Sequence, residues 1–324
     1  MRWPISCTPL ALAPLKRYRI THNPRLIWRS YYEATMRALI LLALLLMAVP
    51  AWAQEIKLAT WNIAWLTTKP AGHPDLPQNL TIRTEQDFAR LRAYAERLAA
   101  DVIALQEVDG PLAAARVFDA TAYDFHFPAE SDVQRTGFAW RKGLQVTRNP
   151  DLMALDLRPT ARRSLRRGAD ITLHGANGAR LRLLSIHLDG GCSQGSIRQP
   201  NSSDCQSLGQ QAQILAEWIT ERRRENMPFV ILGDFNRRFS RDDDMLPLLN
   251  AASPMRRATE GLSNPCWSRD GQGRAFIDHI LLGLRAADWL VKDSFRVFSY
   301  GERDPALRDV ISDHCPISVR LQLP

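Results

Sequence analysis

At 324 residues, 45% hydrophobic and 23% charged, the chain is too apolar for a disordered tail and long enough to bury a substantial core. Its formal net charge of +8 points to a polyanion binder, yet residues 1–53 hold seven Lys or Arg and one acid, which leaves 35 basic and 33 acidic residues, a net of +2, from Gln54 onward. Attraction to polyanions must then come from local patches rather than from the total.

The first element is a leader. Met36 and Arg37 precede an apolar run from Ala38 to Val49, followed by Pro50 and the small-x-small sequence Ala51, Trp52, Ala53. These are the marks of a secretory signal peptide over 36–53, cleaved after Ala53. The run is shorter than the roughly 20 residues a bilayer span needs, so no stable membrane insertion of the mature chain is expected. Residues 1–35 read as a non-native upstream extension, with Met36 as the true start. Residues 54–324 read as a single domain, periplasmic or secreted. Four cysteines remain in it, Cys192, Cys205, Cys266 and Cys315. An even count in an exported chain suggests disulfides, with three connectivities open. The short polar loop makes Cys192 with Cys205 the easiest pair to close, leaving Cys266 with Cys315; free buried thiols are the alternative.

Downstream, strands and helices alternate. A strand is predicted over 55–63, a Pro-, Gly- and Asn-rich loop over 69–79, and a helix over 84–100 with Thr84 as cap and Phe88, Leu91, Tyr94, Ala95 and Leu98 at helical spacing. Further strands are predicted over 102–105, 123–127, 137–141, 152–157, 169–174 and 179–188, the last two joined by a hairpin turn from Gly175 to Gly178. An amphipathic helix over 207–224 leads to a strand over 229–232, and strands over 275–282, 289–299 and 315–323 close the chain. Hairpins mixed with strand-helix-strand units imply an α/β fold of mixed sheets with helices outside.

Polar residues recur where these strands end. Val230, Ile231 and Leu232 suit a strand buried on both faces, and Gly233 then lets Asp234, Phe235 and Asn236 turn off its rim. If Asp234 and Asn236 stay extended they share a side, where they suit a metal, a phosphate or a water; a capped turn is the equal alternative. The other strand ends carry Thr60, Trp61 and Asn62; Gln106 and Glu107; Ser185, Ile186 and His187; Ile277, Asp278 and His279; and Ser312, Asp313 and His314.

In this order the six motifs resemble the endonuclease/exonuclease/phosphatase superfamily, which includes pancreatic-type deoxyribonucleases, abasic-site endonucleases, neutral sphingomyelinases and inositol phosphate phosphatases. The resemblance runs from about Ile56 to Leu323. It implies a four-layer α/β/β/α sandwich, two mixed sheets face to face with helices on both outer sides. It also implies Mg2+, with Mn2+ as a substitute, on Glu107, with Asn62 and Asp313 close by and Asn62 in reach of substrate. Such a cation suits phosphate esters because it absorbs charge that otherwise repels the nucleophile. Asp234 would orient or deprotonate the attacking water, and Asn236 would hold that water or a phosphate oxygen. His314 would donate to the phosphoryl oxygen with its tautomer set by Asp278, and His187 would contact the phosphate from the other side and serve as acid for the leaving oxygen. His73, His126, His174 and His279 read as structural.

One departure stands out: the Tyr and acid that some family nucleases carry are absent from residues 134–140, which leaves the second partner of His187 open. Among substrate contacts, Arg158, Arg162, Arg163, Arg166 and Arg167 suit a nucleic-acid backbone, Arg162, Arg163 and Arg166 above all; a solvated loop is the alternative. Trp65, Trp140 and Trp267 suit base stacking, although Trp in a sandwich more often belongs to the core. The expected activity is that of an exported, monomeric, magnesium-dependent phosphodiester hydrolase acting on nucleic acid, a nuclease. Hydrolysis of a phospholipid, an inositol phosphate or another small phosphorylated molecule at the same site is the alternative, and an inactive binding protein is a third.

Overall fold

Among the described residues of the computed structural model, which are Met36, 54–161, 164–268 and 273–324, twelve strands form two sheets of six. In chain order they are β1 (Gln54–Leu66), β2 (Val102–Val108), β3 (Tyr123–His126), β4 (Arg135–Arg141), β5 (Gln145–Arg148), β6 (Ala169–His174), β7 (Arg180–His187), β8 (Phe229–Asp234), β9 (Met255–Arg257), β10 (Asp278–Gly283), β11 (Arg296–Val297) and β12 (Ile317–Leu323). One sheet runs β11-β12-β1-β2-β4-β3 and the other β5-β6-β7-β8-β10-β9. Each has one parallel pair at its centre, β1 with β2 and β7 with β8, and antiparallel neighbours around it. The sheets are therefore mixed, as the alternation of hairpins and helical crossovers predicts. The leader read over 1–53 lies outside the described residues apart from Met36, and so do Arg162 and Arg163.

Period-two alternation builds the layers. Ile56 and Leu58 of β1, Val102 and Ala104 of β2, Leu181 and Leu183 of β7, Val230 and Leu232 of β8, and Ile280 and Leu282 of β10 all turn into one core between the sheets. The opposite faces bury Trp61 and Ile63 under helix α1 (Glu85–Leu98), and Ile231 and Phe229 under helix α3 (Ser203–Arg224). Short helices α2 (Gly110–Ala114) and α4 (Met245–Ala252) complete the two outer layers. Helix α1 begins in a capping box, where the Thr84 hydroxyl accepts from Asp87 N and the Asp87 carboxylate accepts from Thr84 N. Ser202 caps α3 by accepting from Cys205 N, so that helix starts before the predicted Ser207.

Two predicted strands fail for lack of partners. Residues 152–157 form a single 3-10 turn, Met153–Leu155, with only Leu152 bridged to Gly168. Of residues 289–299 only Arg296–Val297 pairs, apart from a bridge from Leu290 to Leu321. Both cystines are closed as the loop-length argument expects, Cys192 with Cys205 and Cys266 with Cys315.

Gly233 is the backbone position that this packing tolerates least. Its φ is +148°, and a Cβ there would lie 2.1 Å from Ile186 O on the neighbouring strand. Gly233→Ala is expected to cost about 4 kcal/mol in urea unfolding, because neither strand can retreat from a parallel ladder. Gly178→Ala, at φ +73° but facing open space, should cost only about 1 kcal/mol.

Candidate active site

The inner faces of the central strands change character together at one end. Along β7 they read Leu181, Leu183, Ser185, His187; along β8, Val230, Leu232, Asp234; along β10 in reverse, Leu282, Ile280, Asp278; along β1, Leu58, Thr60, Asn62. Register pairs His187 with Asp234 and Asp234 with Asp278, so three titratable side chains stand abreast on adjacent strands. Beneath them a buried polar chain joins the two sheets: Thr60 Oγ1 donates to Gln106 Oε1 (3.0 Å), Gln106 Nε2 to Ser185 Oγ (3.1 Å) and Ser185 Oγ to Leu105 O (3.1 Å). Each of these buried groups is thereby satisfied. Gln106 is thus part of the scaffold, while its neighbour Glu107 turns to the site.

Asp234 is the focus. Its Oδ2 accepts from Asn62 Nδ2 (3.1 Å) and lies 3.7 Å from both His187 Nε2 and His314 Nε2. Its Oδ1 accepts from Asn236 N (2.8 Å), so the capped turn is formed through one oxygen while the other faces the two imidazoles. Asn236, at φ +50°, has left the extended conformation and donates its amide to Leu188 O (2.9 Å). Burial pushes the Asp234 carboxyl up to about 7, with Asp278 and Glu107 adding to the rise against the opposing pull of His314. His314 Nδ1 meets Asp278 Oδ2 at 2.8 Å. Burial works against its charge, but Asp278 and Asp234 prevail and hold the imidazole well above its ordinary value. His187, 4% exposed, goes the other way, held well below by burial and then by Arg166 and His314. A neutral imidazole donates a hydrogen bond but is a poor acid, so the arrangement does not favour His187 as proton donor to a leaving oxygen.

The Endonuclease/Exonuclease/phosphatase family model matches residues 59–314. The chain belongs to this family. No curated protein sequence is significantly similar to it. Among solved structures, an AP endonuclease from Leishmania major is 18% identical over 84% of this chain and 89% of that one, with a TM-score of 0.54. TDP2 of D. rerio, solved in complex with a single strand DNA product, is 19% identical over 82% and 98%, with a TM-score of 0.53. An endonuclease/exonuclease/phosphatase from Bacteroides vulgatus is 15% identical over 84% and 100%, with a TM-score of 0.54. At these identities the likeness is one of fold, the α/β sandwich of the family.

The family resemblance implies a divalent cation, and the donor chemistry fits one. Glu107 offers two carboxylate oxygens whose partners are all N–H groups: Asn62 Nδ2, Trp65 N and Gln134 Nε2. His187 Nε2 lies 3.8 Å from Glu107 Oε1, so the Glu107 and Asp234 carboxylates converge on one gap. Hard oxygen ligands of this kind suit Mg2+. Asp234, Asp278 and His314 are the one group of three among the described residues whose possible ligand atoms lie within 4.8 Å. There, however, His314 and Asp278 are engaged with each other and the imidazole is cationic, which makes Glu107 the better anchor. Asn62 turns its amide nitrogen, not its oxygen, to Glu107, while its Oδ1 accepts from Ala64 N. Asp313 is half-exposed, with Oδ1 4.0 Å from His314 Nε2 and Oδ2 3.8 Å from an Arg308 nitrogen.

The remaining predicted residues separate. Arg166 donates to Leu188 O (2.9 Å), the residue after His187, and so stands at the site's edge. His73, His126, His174 and His279 bond to Asp75, Asp151, Thr147 and Thr259 respectively, away from the site. Trp140 is core, and Trp267 lies against Tyr300 and donates to Ser312 O.

Sequence reading misses Arg83. Its guanidinium donates to five carbonyls, of Ile63 (2.7 Å), Ala64 (2.8 Å), Trp65 (3.0 Å), Val310 (2.8 Å) and Ile311 (3.0 Å), and among the described residues it has no carboxylate partner. Burial lowers its proton affinity to about 10, against Tyr300, Asp87 and Glu107. The bonds tie the turn beside Glu107 to the segment that leads into His314. Arg83→Met should therefore cost about 3 kcal/mol or more in urea unfolding, since buried carbonyls lose charged donors. Arg83→Lys should recover only part of the loss, having three donors on one atom instead of a planar fork.

Proposed function

We propose that the protein is an exported, magnesium-dependent phosphodiesterase that cleaves nucleic acid. The observation that carries this reading is the geometry around Asp234: a buried carboxylate whose Oδ2 lies 3.7 Å from two imidazoles, one pushed toward its neutral form by burial and the other paired with Asp278 and pushed toward its charged form. Pairs of groups pushed apart in this way divide acid and base work.

A phosphate lodged between the histidines would receive a hydrogen bond from His187 Nε2 on one side and a charged one from His314 Nε2 on the other. Asp234 then takes the proton of the attacking water as the new P–O bond forms, and the bond to the leaving oxygen breaks with its electron pair passing to that oxygen, which takes a proton from solvent water. Asp278 keeps the His314 proton on Nε2 by accepting from Nδ1, which orients the ring as well as sustaining its charge. Asn62 and the Asn236 backbone fix the Asp234 oxygens against rotation. Glu107, with Asp234 and Asp313 nearby, would hold the Mg2+, which when bound supplies Lewis-acid neutralisation of phosphate charge.

Nucleic acid is favoured as substrate by the AP endonuclease and the DNA-bound TDP2 among the structural neighbours and by Arg166 at the edge of the site. Export is favoured by the leader sequence over 36–53 and by the two cystines.

The deciding experiment offers the mature protein single- and double-stranded DNA, RNA, sphingomyelin and inositol phosphates, with Mg2+ or with chelator. Cleavage of nucleic acid that chelator abolishes is expected. Intact nucleic acid beside a cleaved lipid or sugar phosphate would replace the substrate while keeping the site. Asp234→Asn and His314→Ala should each lower kcat/KM by about 1,000-fold or more with unfolding midpoints close to native.

The pH profile follows from the same groups. Asp234 must be ionised, so kcat/KM should rise about tenfold per pH unit below its pKa; a bound cation favours the carboxylate and moves that limb from about 7 downward. His314 must be protonated, so the fall at alkaline pH should lie well above 6.5. A rate that stays flat through both limbs would remove these roles.

A further inference from the structure

Trp65 occupies a conformation that an indole side chain rarely adopts. Its φ is +56°, next to Ala64 at +42°, and a non-glycine residue there carries strain. The strain is held from both sides, because Trp65 N donates to Glu107 Oε2 (3.1 Å) and Trp65 O accepts from Arg83 (3.0 Å). Yet the partly buried ring is not part of a hydrophobic core that would account for it. Trp65 belongs to none of the three hydrophobic clusters, and among the described residues no aromatic ring lies against it. Instead it forms a wall of a cleft of about 430 Å³ beside the site.

The lining of that cleft specifies its occupant. Trp65, Pro77 and Leu80 give it apolar walls, while Arg308, Asp309 and Asp313 stand along it with donors and acceptors together. Two carboxylates beside one arginine make a poor seat for a phosphate and a poor channel for an acyl chain. A planar heterocycle fits: its face covers an indole, its ring nitrogens and carbonyls accept from Arg308, and its amino groups donate to the carboxylates. The cleft also reaches the chemistry, since Trp65 is bonded to Glu107 and Asp313 lies 4.0 Å from His314.

We propose that Trp65 is a specificity-determining residue on which a base next to the cleaved phosphate stacks, with its edge read by Arg308, Asp309 and Asp313. This rests on the nucleic-acid reading above and adds to it the side of the site on which the base lies. It also accounts for the strain, which presents the indole to the cleft beside Glu107.

The test is equilibrium binding of a fluorescently labelled single-stranded hexanucleotide, followed by anisotropy in chelator, beside a hexamer of the same backbone with abasic sugars throughout. Trp65→Ala should weaken binding of the base-bearing strand by about 5- to 100-fold, leave the abasic strand within about threefold, and be rescued by Trp65→Phe. Trp65→Gly, which adopts positive φ freely, should bind as poorly as the Ala variant while unfolding no earlier than it, which excludes misfolding as the cause. Equal losses on both strands, or no loss on either, would overturn the assignment. If the native protein cleaves nucleic acid and Trp65→Ala binds and cleaves as well, the stacking site fails and the nuclease reading stands. If Trp65→Ala loses the base-bearing strand but native protein cleaves no nucleic acid, the stacking site stands and the hydrolytic reading fails.

Discussion

The register of β7, β8 and β10 is the constraint on which the site depends. Sliding β8 by one residue would carry Asp234 to the helix side and bring Gly233 or Phe235 to the inner face. Hydrophobic burial forbids this, because Val230 and Leu232 fill the core between the sheets while Phe229, Ile231 and Phe235 fill the one under α3. Both faces of β8 are buried, so both would be spoiled by a slip. The alignment of His187, Asp234 and Asp278 is thus a consequence of apolar packing several residues away, and a site of charged groups inherits the rigidity of a hydrocarbon core.

That inheritance has a cost in stability. Asp234 is 1% exposed and His187 4%, and only one residue in this row, Asp278, has a close ionic partner in His314. Backbone strain collects at the same end of the molecule, with Ala64, Trp65, Glu107 and Asn236 all at positive φ. Such residues cost of order 1–3 kcal/mol each. Three of the four lie within register shifts, Ala64 and Trp65 between Asn62 and Leu66 in the pairing of β1 with β2, and Glu107 between Leu105 and Val108 in that of β2 with β4. A bulge at each strand end is what turns Glu107 out of its ladder and Trp65 toward the cleft. The Thr60, Gln106 and Ser185 chain and the five bonds of Arg83 are the local compensation.

Much of this was legible in residue type and order. Apolar runs that begin or end in Asp, His or Glu mark both the strand and the rim it reaches: Asn62, Glu107, His187 and Asp234 sit where such a run stops or near its end, while Asp278 sits where one begins and His314 just before one. What was illegible has no residue-type signature. Arg83 bonds to backbone carbonyls, which every sequence possesses, so nothing pairs with it in the sequence. Residue type offers Trp65, Trp140 and Trp267 alike for base stacking or for the core, and nothing in the sequence separates the three until burial and φ are known. The strand expected over 152–157 has the right residues, but whether a neighbour lies alongside depends on residues far away in the chain. The choice between a capped turn and a functional site at Asp234 is not exclusive, because one carboxylate oxygen closes the turn and the other faces the imidazoles of His187 and His314.

His314 poses a different problem, since it precedes β12 and has no ladder to position it. Other bonds take over that task. Ser312 Oγ donates to Asn62 O (2.7 Å) and accepts from His314 N (3.0 Å), while Tyr300 Oη donates to His314 O (2.6 Å) and accepts from Trp61 Nε1 (2.8 Å). Trp267 donates to Ser312 O (2.8 Å), and the next residue, Cys315, is bonded to Cys266. Arg83 holds the carbonyls of Val310 and Ile311 just upstream. An imidazole that meets Asp278 at one nitrogen and, in the proposed mechanism, a phosphate at the other tolerates displacements of only about half an ångström. A segment outside a sheet reaches that tolerance only when side chains supply the fixing that a strand obtains from its neighbours, which is why side-chain-to-backbone bonds and a covalent cross-link surround a member of the candidate site that no strand carries.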